Sequence, residues 1–237
     1  MMRVLALDTT TRGGSVAVVD DDRVIAEQGG DQARSHAERL PDEILAIVAA
    51  HQVPLDSVDF FAVASGPGSF TGLRIGIATV QGFAFVKGRG VVGISALEAL
   101  AHCASVGLPA GAHVAAWMDA YRRDVFAALY RVTDAPSFDP DRLVELDTPS
   151  VDGPAATWAR WSKEFVVPSV VIGDGAVLYE AIVTPSRVMR PPLLAGAIGR
   201  LAVSHVRRGG AVHPSAVHPL YVRRPDAEIA REKGASK

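Results

Sequence analysis

The sequence predicts an α/β protein, with a mixed sheet and helices packed on it. Three observations predict this. Short apolar runs of strand length open the chain as a meander, and later apolar runs alternate with stretches of helical period. Of the 237 residues, 49% are hydrophobic and 21% charged, enough apolar side chain for a sizeable core.

Val4 to Leu7 reads as a buried strand, and the polar turn from Asp8 to Gly14 leads into a second strand, Ser15 to Val19. Asp20-Asp21-Asp22 closes that strand, and Arg23 to Gln28 forms a third. A helix is expected from about Ser35 to His51, with Ser35 as N-cap and Glu38 three residues on. Leu40, Ile44, Ile47 and Val48 make its apolar face, and Pro41 predicts a kink or a late start. Phe60 to Ala64 is a strand, Gly66 to Gly72 a glycine-rich turn, and about Phe70 to Lys87 a helix apolar nearly all round and so expected to be buried on most sides. Val91 to Ile94 and Ser95 to Ala104 continue the alternation as strand and helix.

A second unit begins after about residue 107. Val114 to Met118 and Val125 to Arg131 read as strands around a turn at Asp119 to Asp124, and residues 133–142 as a surface loop. Leu143 to Leu146 and Val166 to Ile172 read as strands, with a Trp-bearing helix near Ala155 to Ser162 between them. A last helix spans about Leu193 to Arg207, Tyr221 to Arg224 is extended, and residues 226–237 form a charged, mobile tail. Each half starts with a hairpin-like pair of strands, which suggests duplication without a detectable repeat.

Composition narrows the function. The formal net charge is −2, whereas a domain that grips nucleic acid by itself carries a basic excess, so RNA would need a partner or a local patch. The single cysteine allows no intrachain disulfide. The first apolar run is short and ends in Asp8, unlike a secretory signal, so a cytoplasmic protein is expected with no membrane association.

The segment Gly66 to Arg74 carries the most information. Glycines between an apolar strand and an apolar helix aim backbone amides outward, a recipe for binding an anion. Leu73-Arg74 stands where a P-loop has Lys-Ser/Thr, Thr71 where a dinucleotide fingerprint has Gly, and Pro67 and Thr71 where a nucleophile elbow has Gly. On spacing alone, phosphate binding and close packing are evenly matched. Gly72 and Gly76 share a helix face and imply close approach of another backbone, within the chain or from a second one. Asp8 with Thr9 and Thr10 lies where an actin-like ATPase carries its first phosphate loop, but Thr10 replaces the usual Gly and a turn-capping Asp is the simpler reading. Gly173-Asp174-Gly175 follows an apolar strand and reads either as a plain turn or as an adenosine-contacting loop. His36 lacks a second histidine four residues on, since Leu40 stands there, and no metal or cofactor is expected.

Leu5 to Thr10, Ser35 to Pro41, Gly66 to Gly76 and Gly93 to Leu97 together resemble the TsaB (YeaZ) family. Looser matches at Met118 to Arg122, Gly173 to Ala176 and Pro219 to Arg223 extend the resemblance over nearly the whole chain. It implies a two-lobed actin-like (ASKHA, ribonuclease H-like) α/β fold, with residues 1–105 as a partner-binding lobe and 106–225 as a second lobe whose last helix (about 193–207) packs back on the first. It implies a non-catalytic subunit needed for N6-threonylcarbamoyladenosine (t6A) at tRNA position 37. The partners implied are the transferase TsaD, the ATPase TsaE in a larger complex, tRNA indirectly, and a homodimer when alone. TsaD binds metal through two histidines four apart on its first long helix; His36 and Leu40 stand in those places here. Partner-binding residues implied on the two first-lobe helices are His36, Leu40, Ile44, Ile47, Gly72, Leu73, Gly76 and Val80. An actin-like nucleotide-binding protein or ATPase is the alternative, and peptidase chemistry lacks both a metal pair and an organised nucleophile.

Overall fold

The structure, a computed structural model, describes residues 1–223. The expected tail at 226–237, and Arg224, lie outside the described residues.

Strands β1 (Arg3–Asp8), β2 (Ser15–Asp20) and β3 (Arg23–Gly29) form the antiparallel meander. Helix α1 (His36–Ala50) follows, then β4 (Phe60–Gly66), α2 (Phe70–Lys87), β5 (Gly90–Ser95) and α3 (Ala96–Ser105). Strands β4 and β5 add to β1 in parallel, giving the order β3-β2-β1-β4-β5. The second half contains β6 (His113–Asp119), β7 (Val125–Val132), β8 (Leu143–Asp152), α4 (Pro154–Glu164), β9 (Val170–Ile172), α5 (Asp174–Leu178), β10 (Arg187–Met189) and α6 (Ala195–Arg207). Its sheet has the order β10-β9-β6-β7-β8, again an antiparallel meander extended by two parallel strands. The duplication hinted at by two hairpins is thus a repeated sheet topology.

Period-two patterning explains the layers. In β1, Val4 and Ala6 face one way, toward α3 and α6, while Leu5 and Leu7 face α1 and α2. The opposite face of the second sheet, with Trp117 and Val171, packs on Trp161 of α4 and Ala176 of α5. Helices α3 and α6 therefore lie between the two sheets, α1 and α2 cover one outer side, and α4 and α5 the other. This is a two-lobed α/β fold, with mixed sheets flanked by helices.

Helix α6 begins without a cap of its own, because Leu194 has no side-chain acceptor. Ser15 Oγ accepts from the amides of Leu194 and Ala195 at 3.2 and 3.0 Å, and Glu27 Oε1 from Gly196 at 2.7 Å. Side chains of β2 and β3 thereby satisfy the orphan donors of a helix about 180 residues later.

Several expectations are corrected. Helix α1 starts at His36 and runs through Pro41, with no late start. Helix α2 is not buried on most sides: Leu73, Ile77, Val80 and Ala84 face inward, but Phe85 and Val86 are 74% and 79% exposed. Strand β8 runs on to Asp152, and β9 starts only at Val170, because Pro168 interrupts the apolar run from Val166. Tyr221 to Arg223 pairs with no strand. The short elements α5 and β10 were not expected.

Candidate functional site

The turn after β1 and the turn after β4 interlock. Asp8 Oδ1 accepts from Thr10 N at 2.9 Å and Thr10 Oγ1 at 2.7 Å, so Asp8 caps its own turn. Thr10 carbonyl then accepts from Ser69 N at 2.8 Å, pinning the glycine-rich turn to the first strand. Ser69 caps α2 by accepting from Gly72 N at 3.2 Å. A methyl group added at Gly72 or Gly76 would come within 3.0 Å of Thr9, so both glycines exist for close packing inside the chain.

A cavity of about 80 Å³ lies between the lobes, lined by Asp8, Thr10, Ser15, Met118, Asp174 and Leu194 among others. The structure thus brings together Asp8, Thr10 and Asp174, which the sequence offered as two separate loops. Thr9 instead lies under α2, while Gly173 and Gly175 shape the turn. Gly173 has φ of 127°, and a Cβ there would collide with the carbonyl of Trp117. Burial pushes the Asp8 carboxyl above the usual range, Thr10 hydrogen bonds oppose this, and Asp174 adds a smaller upward push. Burial likewise raises Asp174, whose Oδ1 accepts from the amides of Asp119 and Gly175 at 3.0 and 2.9 Å. The cavity's volume of about 80 Å³ is well below the roughly 300 Å³ at which small-molecule pockets begin.

On α1, Arg39 Nη2 donates to His36 Nδ1 at 2.8 Å, and His36 Nε2–H therefore donates to Thr11 O at 2.9 Å. Both ring nitrogens are engaged, and burial lowers the histidine pKa. Leu40, 1% exposed, sits in the core four residues on. This donor set does not fit a metal. Among the described residues, no group of His, Cys, Asp and Glu could hold one.

The eight residues read as partner-binding are all buried within the chain: His36, Leu40, Ile44, Ile47, Gly72, Leu73, Gly76 and Val80. Their periodicity marks the face each helix turns to its own sheet. The outward surface of the two packed helices is made instead by Leu45 of α1 and by Ala78, Gly82, Phe85 and Val86 of α2, which are exposed. Sequence reading missed this stripe, although 78, 82 and 85 recur at helical spacing. It also missed Arg39, whose guanidinium bonds Glu43 at 2.5 Å and the carbonyls of Arg12 and Gly13, locking α1 to the turn after β1. No helix among the described residues is long and apolar enough to cross a membrane.

Comparison with known proteins gives one consistent result. The family model described as TsaD, tRNA N6-adenosine threonylcarbamoyltransferase, matches residues 18–145. An uncharacterized protein of Mycobacterium tuberculosis is 30% identical over 236 residues, covering 95% of this chain and 93% of its own. The tRNA threonylcarbamoyladenosine biosynthesis protein TsaB of Escherichia coli is 31% identical over 193 residues, covering 76% of this chain and 82% of its own. The solved structure of YeaZ from Pseudomonas aeruginosa superposes with a TM-score of 0.75 at 29% identity, covering 93% of this chain and all of that one.

Proposed function

The chain belongs to the TsaB (YeaZ) family, and from that premise we propose that it is a non-catalytic subunit required for t6A formation at tRNA position 37. It acts by binding and supporting the TsaD transferase in the cytoplasm, with TsaE joining the assembly and tRNA held through the complex. The observation that carries the non-catalytic reading is the chemistry at His36 and Leu40. A metal pair on this helix face would need a second imidazole where Leu40 fills the core, and His36 has no lone pair to spare.

In this reading residues 1–105 form the partner-binding lobe and 106–225 the second lobe. TsaD docks on the exposed side of α1 and α2, around Leu45, Ala78, Gly82, Phe85 and Val86, rather than on the buried residues of the same helices. Large exposed apolar side chains clustered on one face mark interaction surfaces, and small residues beside them let a partner helix approach. Without TsaD, the same face pairs with a second copy.

Co-elution with TsaD tests the docking face. Phe85→Asp combined with Val86→Asp should abolish the complex while the circular dichroism and thermal midpoint stay unchanged. A double variant that co-elutes as the parent does would remove this surface from the proposal.

A further inference from the structure

A second cavity, separate from the narrow one between the lobes, opens at the N-terminal end of α2. It has a volume of about 500 Å³, and its walls include Arg12, Arg34, Ser69, Thr71, Gly72 and Tyr121. No carboxylate lines it, in a chain whose net charge is −2. Arg12 spends only Nε, donating to Gln32 O at 2.8 Å, and Arg34 only Nη2, donating to Glu38 O at 2.8 Å. Each guanidinium is tethered by one main-chain carbonyl, and neither forms an ion pair among the described residues. The Glu38 carboxylate, whose charge Arg34 feels, is already engaged by the Ser35 amide and hydroxyl at 2.8 and 2.7 Å.

The backbone adds to this. Ser69 N, Gly72 N and Leu73 N are satisfied, by Thr10 O, Ser69 Oγ and Ser69 O. The amides of Phe70 and Thr71, the first two of an 18-residue helix, have no acceptor among the described residues. Ser69 Oγ accepts from Gly72, which leaves its hydroxyl proton free to donate. Two forked cations, free hydroxyls and the positive end of a long helix thus border one open space of nucleotide size.

We propose that this cavity binds a phosphate group, presented either by a nucleotide or by the backbone of RNA. Arg12 and Arg34 grip the non-bridging oxygens, and the first turn of α2 receives the remaining charge. The site stands apart from the docking face on α2 and does not depend on the accessory-subunit reading.

Fluorescence anisotropy of a labelled RNA stem-loop, and calorimetry with ATP, both on the full chain at low ionic strength, test it. Arg12→Ala and Arg34→Ala should each weaken binding roughly tenfold, the loss expected for one charge-assisted contact. Thr71→Glu should abolish binding while leaving the thermal midpoint equal or higher, because a carboxylate in the first turn favours the helix. Arg89→Ala, far from the cavity, should change nothing. Heat from ATP lost in these variants assigns a nucleotide. RNA binding alone, with a salt slope that falls by about one per arginine removed, assigns a backbone phosphate. If neither probe binds, or if binding survives both the arginine and the Thr71 substitutions, the proposal is wrong.

Discussion

At Gly76 a methyl group has nowhere to go, whereas at Gly82, six residues along the same helix, nothing lies within 4 Å. The two positions therefore separate packing from propensity. Alanine is favoured over glycine in a helix by roughly 1 kcal/mol, so Gly82→Ala should stabilise the fold by up to about that amount. Gly76→Ala should destabilise it by about 1–3 kcal/mol, the usual cost of overpacking. Urea unfolding of the two variants would check both, and equal effects would remove Thr9 as the reason for the glycine. His102 gives a pH-dependent counterpart. It is fully buried on α3, its ring 5.9 Å from that of Phe138, with neither nitrogen hydrogen-bonded. Burial, reinforced by the nearby His205 and Arg142 and opposed by the weaker pull of Glu98 and Asp139, lowers its pKa from 6.5 to about 4. The unfolded chain takes up this proton first, so stability is full above pH 6.5 and falls as pH drops toward 4, by on the order of 3 kcal/mol. His102→Leu should flatten that part of the stability profile, and an unchanged slope would place the acid sensitivity elsewhere.

Among elements, α6 depends most on residues far away in sequence. Its first three amides are held by Ser15 and Glu27, and Ser15→Ala leaves two buried donors without an acceptor. The expected loss is about 1–3 kcal/mol, with faster hydrogen exchange at Leu194 and Ala195 than in the parent. Exchange left unchanged there would mean the helix is held by packing alone. The same element shows where sequence reading stops. The apolar period of about Leu193 to Arg207 predicts a helix, but nothing local says that its cap stands on β2. Short elements escape for a different reason: α5 and β10 have five and three residues, too few for a period to show. The extent of helix α2 was legible from its apolar residues, yet its outward stripe was not. Its residues are apolar on both sides, and only the position of the first sheet decides which side is buried.

The lobes are joined by more than the buried layer of α3 and α6. The segment after Pro219 crosses from one to the other. Leu220 N donates to Ser65 O at 2.6 Å, and the rings of Tyr221 and Phe70 lie 5.0 Å apart. Arg223 donates to Ala120 O at 2.7 Å and pairs with Asp124. Alternating strands and helices announced the α/β class, and the glycine-rich turn announced the family, because both are local patterns. The meeting of Asp8 with Asp174, and of Arg12 with Tyr121 at the second cavity, depends on how two lobes close on each other. Reconstitution of t6A on tRNA from purified components tests the proposed role most directly. The chain alone should transfer no threonylcarbamoyl group, while TsaD and TsaE should gain strongly when it is added. Transfer by the isolated chain, or an equal rate from TsaD and TsaE without it, would contradict that role.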